Sequence, residues 1–181
     1  DRVASRGLGD VYKRQGYANA IAVDSNDNPH IAYGIDNLYY TTLSNGVWSS
    51  PIVLDQTVGR SISMIIDSSD NIHIASNKFI TGGDLNYTSY VSGTWSTETV
   101  ASASSLYPGP TAIVVDSAGD VYIAMMQEAT SQSNTNYLSV YNNSGGSWSS
   151  DFIDSGGLGD YSIDLALSLI HISEPTRRYS I

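Results

Sequence analysis

The sequence contains no cysteine, which excludes disulfide bridges and thiolate metal sites. Basic residues are scarce, because 8 Lys and Arg stand against 18 Asp and Glu and the formal net charge is −10. This balance argues against nucleic acid or an anionic membrane surface as a partner and favours neutral or cationic ligands. No apolar run approaches the roughly eighteen residues of a membrane span, and no basic-then-apolar leader is visible.

Phenylalanine is also rare, with 2 residues, whereas there are 13 Tyr and 3 Trp. Tyr and Trp suit half-solvated positions because each combines an apolar ring with a polar group. Most other polar residues are Ser, Thr, Asn and Gly, which are typical of short strands joined by many turns. The composition therefore predicts an all-β protein.

An internal repeat defines the organisation of the chain. An apolar run ends in Asp, a polar turn follows, and a second apolar run comes after it. The period of about 40 to 50 residues is typical of four-stranded propeller blades. The copies read AIAVDSNDNPHIAY from Ala20, SMIIDSSDNIHIAS from Ser63 and AIVVDSAGDVYIAM from Ala112, and a fourth begins at Asp164 but fails at Ser168.

Each copy is long enough for four strands, which we predict in the first copy at 20–23, 30–35, 38–43 and 47–54. Asn45 and Gly46 are typical of a type I′ turn between the third and fourth strands. The extra length of the third copy, at 127–136, is typical of an enlarged surface loop.

The predicted fold is an all-β partial β-propeller with three four-stranded antiparallel blades plus the first strand of a fourth. The blades are predicted at about 16–58, 59–107 and 108–159, and the fourth starts at 160–167. Known propellers have about four to eight blades, so three copies cannot close a ring. We therefore expect exposed apolar end faces and self-association through them.

The two ends differ in composition from the repeats, since most basic residues lie in them. Residues 1–15 and 168–181 resemble translated sequencing-adapter read-through, as found at the edges of predicted proteins from environmental DNA. We expect both to be artefactual extensions. The alternative is a genuine basic arm and a genuine C-terminal strand.

The repeat resembles the blades of secreted bacterial β-propellers of the sialidase-like and NHL-like kind, over Gly16 to about Leu167. The resemblance implies an extracellular or cell-surface location, and it is unspecific for activity, because such blades serve lectins, glycosidases, lyases and adhesion modules. No copy matches the sialidase motif Ser-x-Asp-x-Gly-x-x-Trp. Arg60 is the single arginine within 16–167, whereas a sialidase needs several.

Asp24, Asn26 and Asn28 are candidate metal ligands, because their oxygens alternate as in calcium loops. Calcium is the cofactor that they would suit. The spacing is not kept between copies, so the favoured interpretation is a hairpin turn in which the carboxylate accepts backbone N–H bonds.

His30 and His73 occupy equivalent positions, and Tyr122 replaces them in the third copy. Repetition favours a flat side chain packed between blades, with one polar atom hydrogen-bonded. The alternative is catalysis, for which His30, His73 and Arg60 are the candidates.

Three tryptophans recur at equivalent positions and, with tyrosines of the third strands, could form sugar-stacking platforms. The alternative is that each Trp caps its blade and fastens the fourth strand to the next blade. These candidate ligand-binding residues are Trp48, Trp95, Trp148, Tyr40 and Tyr87.

Two functions follow from these residues. The leading hypothesis is a non-catalytic binding or scaffold module of a secreted or cell-surface bacterial propeller protein, with a carbohydrate or protein ligand. The alternative is part of a carbohydrate-active enzyme, a glycosidase or polysaccharide lyase, whose active site lies largely in other blades.

Overall fold

The computed structural model describes residues 18–34, 36–56, 58–78, 83–102, 106–129, 136–156 and 163–166. The two terminal extensions predicted from the sequence lie outside these residues. Every regular element in the described part is a β-strand. Among these residues, no helix has the length and apolarity to cross a bilayer.

The strands form three separate antiparallel sheets, which we number as blades 1 to 3 in chain order. Within each blade, sequential strands are neighbours. Blade 1 consists of β1 (Ala18–Val23), β2 (Pro29–Gly34), β3 (Asn37–Ser44), β4 (Val47–Trp48) and β5 (Ile52–Gln56). Blade 2 consists of β6 (Val58–Ile66), β7 (Ile72–Lys78), β8 (Leu85–Val91) and β9 (Thr94–Ala101). Blade 3 consists of β10 (Leu106–Val115), β11 (Val121–Ala129), β12 (Asn136–Asn142) and β13 (Ser149–Gly156).

The outer strand of blade 1 is interrupted, which the sequence did not predict. Both β4 and β5 pair with β3, so together they take the place of one fourth strand. Pro51 lies between them and has no N–H to donate to β3, which explains why regular pairing stops there.

The repeated aspartate closes the first hairpin of every blade. In each, the carboxylate Oδ1 accepts hydrogen bonds from the backbone N–H groups two and four residues later, at 2.8 to 2.9 Å. These three residues are Asp24, Asp67 and Asp116. The geometry is that of an Asx turn, which fixes the register of the two strands that follow from it.

The hairpin between the third and fourth strands also follows the sequence. Asn45 and Gly46 have φ values of 52° and 75°, and Ser92 and Gly93 have φ values of 52° and 82°. Positive φ at both residues is what a type I′ turn requires, so that prediction is confirmed in blades 1 and 2.

The blades stack face to face, with β6 in contact with both β1 and β10. One buried cluster lies between blades 1 and 2, around Leu38, Ile62 and Ile74. A second lies between blades 2 and 3, around Leu85, Val121 and Met125. Because side chains alternate along a strand, blade 2 contributes one face to each cluster, which explains why β7 is buried on both sides.

The two outer faces of the stack differ. On blade 1, Ile21 and Val23 are 64% and 54% exposed, as expected for an end face. On blade 3, Ala112, Val114 and Ala124 lie outside the cluster shared with blade 2, yet all three are buried. The expectation of an exposed apolar end face is therefore met on blade 1 and wrong for these residues of blade 3. Self-association remains a prediction.

The predicted fold class is confirmed: the protein is an all-β partial propeller of three antiparallel blades that do not close into a ring. The strands of blade 1 begin and end close to the predicted positions. β11 continues to Ala129, into the segment expected to be a loop. Of the predicted fourth blade, residues 163–166 are described and form no strand, while 160–162 and 167 lie outside the described residues.

Gly34 gives a test of this chain trace. Its φ is +148°, and a Cβ atom there would overlap the carbonyl oxygen of Asn37. Gly34→Ala should therefore lower the free energy of unfolding in urea by about 2 kcal/mol or more, because Gly34 and the carbonyl of Asn37 must move apart.

Gly46→Ala is the matched control, because Gly46 also has a positive φ but has open space where its Cβ would lie. Gly46→Ala should lower the free energy of unfolding by only the cost of the backbone strain, about 1 kcal/mol. Equal losses of stability in the two variants would contradict the close approach of Gly34 to Asn37.

Candidate functional site

A chain of three polar side chains crosses the inner face of blade 1. The Asp24 carboxylate lies 3.4 Å from His30 Nε2, and His30 Nδ1 lies 2.5 Å from the hydroxyl of Tyr40. The turn positions Asp24, while β2 and β3 place His30 and Tyr40 on one face. A neutral imidazole fits this chain if Nε2–H donates to the carboxylate and Nδ1 accepts from the hydroxyl.

Blade 2 repeats the same chain. Asp67 lies 3.3 Å from His73 Nε2, and His73 Nδ1 lies 2.6 Å from the Tyr87 hydroxyl. His73 is only 5% exposed, and burial lowers its pKa because it disfavours the charged imidazolium. Burial likewise raises the pKa of Tyr87 and raises that of Tyr40 to about 12.

The turn carboxylates favour their ionised form. A side-chain hydrogen bond from Asn28, followed by backbone hydrogen bonds, lowers the pKa of Asp24 far below its usual range. At Asp67 burial opposes ionisation, but hydrogen bonds from Asn71, Ser69 and His73 outweigh it and lower the pKa.

Blade 3 departs from this arrangement. Tyr122 replaces the histidine, and its hydroxyl reaches Asp116 Oδ2 at 3.5 Å. Val140, opposite Ala124, occupies the position that Tyr40 and Tyr87 hold opposite Ala32 and Ala75. The same hydroxyl lies 3.5 Å from the Ser144 hydroxyl, so in blade 3 a serine of the following turn takes part in the polar chain and no tyrosine of the third strand does.

The repeated tryptophans join each blade to the one before it. Trp95 of blade 2 packs edge-on against Tyr40 of blade 1, with ring centroids 4.9 Å apart. Trp148 of blade 3 packs in the same way against Tyr87 of blade 2 at 5.4 Å. Trp148 also donates from Nε1 to Glu98 at 2.9 Å. The predicted fastening role is present, but toward the preceding blade rather than the next.

Trp48 has the equivalent position in blade 1, on the outer face of the stack, and is 47% exposed. The three tryptophans are therefore not in equivalent surroundings, although their sequence contexts match.

A cavity of about 330 Å³ lies between blades 1 and 2. It combines aromatic rings with hydroxyl, imidazole and carboxylate groups. This volume is at the lower end of the range for small-molecule pockets, about 300 to 1,000 Å³. The described residues that line it are Asp24, His30, Tyr40, Thr42, Asp70, Ile72, Tyr90 and Trp95.

Asp70 connects the two blades at the rim of this cavity. Its carboxylate accepts hydrogen bonds from the backbone N–H and the hydroxyl of Ser25, at 2.8 and 2.6 Å. The equivalent position in blade 3 is Gly119, which has no side chain to make this bridge. A larger gap of about 520 Å³ lies there, between the first turns of blades 2 and 3, lined by Asp67, Ser68, Asp116 and Gly119 among others.

The candidate calcium ligands form the first turn of blade 1. The two carboxylate oxygens of Asp24 accept bonds from Asn26 N–H, from Asn28 N–H and Nδ2–H, and from His30. A carboxylate has about four acceptor positions, so these donors fill it. This geometry supports the hairpin-turn interpretation, and within the described residues no three His, Cys, Asp or Glu side chains cluster as a metal site.

The structure brings four of the predicted site residues to one cavity, namely Asp24, His30, Tyr40 and Trp95. His73, Tyr87 and Trp148 meet separately between blades 2 and 3. The backbone of Arg60 lies in β6, and its side chain is outside the described residues.

Two lining residues, Thr42 and Ile72, were not predicted from the sequence. Tyr90 is one of the third-strand tyrosines considered as sugar-stacking residues, and Asp70 lies in the turn that repeats the candidate calcium loop in the second copy. Both positions change in blade 3, where Gly119 stands in place of Asp70 and Asn143 lies opposite Val121 as Tyr90 lies opposite Ile72.

Neither a protein-family model nor a curated protein matches this sequence. Among solved structures, the chain is similar in fold to a fucose lectin from Kordia zhangzhouensis in complex with methyl-fucoside. The TM-score is 0.50 at 16% identity, covering 74% of this chain and 96% of the lectin chain. An engineered GH43 glycoside hydrolase with endo-xylanase and exo-arabinofuranosidase activity gives a TM-score of 0.46 at 15% identity, covering 71% of this chain and 26% of that one.

The lowered pKa of His73 predicts an acid-sensitive fold. The unfolded histidine, with a pKa near 6.5, binds a proton before the folded one does, so stability is present above that pH and is lost as the pH falls through it. Between pH 7 and 5, the free energy of unfolding in urea should fall, and His73→Gln should make that fall smaller. A variant with the same pH dependence as the wild type would contradict this role.

Proposed function

We propose that this protein is a non-catalytic carbohydrate-binding propeller module and that the cavity between blades 1 and 2 is its glycan site. The observation that carries the proposal is the composition of that cavity, in which three aromatic rings face hydroxyl and carboxylate groups. Sugars present both kinds of surface, since their C–H faces pack on aromatic rings and their hydroxyls hydrogen-bond to polar groups.

The aromatic wall is preorganised. Trp95 contacts Tyr40 of blade 1 and Tyr90 of its own blade, with ring centroids 4.9 and 5.0 Å apart. These rings are held before a ligand arrives, so binding need not order them, which lowers the entropic cost of association.

The polar groups of the cavity are also fixed in place. The imidazole of His30 is held between Asp24 and Tyr40, and Asp70 is held by Ser25. Thr42 is held by the bond from its hydroxyl to the carbonyl of Pro29 at 3.2 Å. Such fixed donors and acceptors determine the orientation of a bound sugar.

The fold similarity supports the same class of function, because the fucose lectin was solved with methyl-fucoside bound. The resemblance of the repeat to secreted bacterial propellers supports a further part of the proposal, namely that the module belongs to a secreted or cell-surface bacterial protein.

A binding role fits the histidines better than catalysis does. The Asp, His and Tyr chain is present in blades 1 and 2, and in blade 2 its histidine is almost completely buried. A histidine that recurs between a carboxylate and a tyrosine hydroxyl serves packing and positioning. Arg60 remains the candidate for the enzyme alternative.

Tyr90 provides the test of the site. A glycan array should first identify ligands, and Tyr90→Ala should then weaken binding of the best ligand by about tenfold or more in calorimetry, because one wall of the cavity is removed. Tyr137→Ala is the matched control, since Tyr137 also lies on a third strand but packs against Phe152 of blade 3.

The tryptophans give an independent comparison. Trp48→Ala should leave glycan binding unchanged, because Trp48 lies on the outer face of blade 1, outside the set that lines the cavity. A progressive loss of signal from Trp48→Ala, Trp95→Ala and Trp148→Ala would instead indicate one weak platform per blade. Absence of glycan binding by the folded wild-type protein would overturn the proposal.

A further inference from the structure

We infer that the cavity between blades 1 and 2 prefers sugars that carry a free, protonated amine, such as glucosamine oligosaccharides. The inference rests on the proposed function and names the ligand class of the same site. It follows from three features of the lining: its charge, its aromatic rings and its difference from the second inter-blade gap.

The charged groups of the cavity are two carboxylates. Among the described residues that line it, there is no Lys or Arg. Of the two basic residues within 16–167, Lys78 lies 3.6 Å from Asp55, and the other is Arg60. A negatively charged sugar would therefore meet carboxylates without a described cation to pair with it, whereas an ammonium group would be attracted.

The two carboxylates contribute in different ways. Asp24 already accepts four hydrogen bonds from its own turn and His30, so it provides negative charge but no further acceptor position. Asp70 accepts two, both from Ser25, and a carboxylate has about four acceptor positions. Asp70 is therefore the group that can accept a hydrogen bond from the sugar amine.

The rings beside these carboxylates favour the same ligand. Tyr40, Tyr90 and Trp95 line the cavity together. An ammonium group within about 6 Å of an aromatic face is attracted by the ring quadrupole, most strongly over Trp. A hexosamine could thus place its C–H surface and its amine against the same wall.

The gap between blades 2 and 3 lacks this combination. Gly119 stands where blade 2 has Asp70, and Asn143 where it has Tyr90. Both groups that distinguish the first cavity are absent from their equivalent positions, although Asp67, His73 and Tyr87 repeat the rest of the arrangement. The preference is therefore specific to the cavity between blades 1 and 2.

The experiment compares three β-1,4-linked trisaccharides that differ only at C2: cellotriose with a hydroxyl, triglucosamine with a free amine, and tri-N-acetylglucosamine with an acetamide. Calorimetry is performed at mildly acidic pH, where the amine is charged. Triglucosamine should bind the wild-type protein about tenfold more tightly than the other two, as expected for a charge-assisted hydrogen bond. Asp70→Asn should lower the ratio of triglucosamine affinity to cellotriose affinity from about ten to about one, because the acceptor for the charged amine is lost.

Asp151→Asn is the matched control, because it removes one carboxylate from an exposed position on β13 that does not line the cavity. It should keep the full advantage of triglucosamine, whereas an equal loss in both variants would show that only the overall charge of −10 attracts the amine. Equal binding of the three trisaccharides overturns this inference alone. Failure to bind any glycan overturns the proposed function as well.

Discussion

The carboxylate of the repeated aspartate determines how each blade is built and joined. It accepts two backbone N–H groups of the first turn, which sets the register of the first two strands. In blades 1 and 2 the same carboxylate also holds a histidine, the histidine holds a tyrosine, and the tryptophan of the following blade packs on that tyrosine. The hydrogen bonds of the turn aspartate thereby position the tyrosine on which the tryptophan of the next blade packs.

Features confined to one copy of the repeat could be predicted from the sequence. The Asn45–Gly46 turn and the alternation of strands depend on local backbone preferences, and both are present in the structure. The interruption between β4 and β5 was also a local signal, since it occurs at Pro51, but the surrounding strand pattern obscured it. The burial of Ala112, Val114 and Ala124 left no signal in the repeat.

The candidate site depends on contacts between blades, which explains why only part of it was predicted. Tyr40 and Trp95 could each be recognised in the sequence because both positions recur. Their contact could not, because it depends on how blade 2 stacks on blade 1 and not on the spacing of the two residues in the sequence. Asp70 and Tyr90 belong to a turn and a third strand that the sequence already indicated, but that they line one cavity with Tyr40 follows from the stacking of the blades. In a repeat protein the shared residues maintain the scaffold, and the unshared residues distinguish one groove from another.

The order of the aromatic contact has a consequence for symmetry. One blade contributes a tryptophan and the other a tyrosine, so the joint is heterologous and its two sides are different surfaces. Two Trp48 faces cannot complete such a joint by turning toward each other about a two-fold axis. A surface that covers the Trp48 face through the same contact must present a tyrosine, as blade 1 does to blade 2. The stacking of blades by this contact therefore has a single direction along the chain.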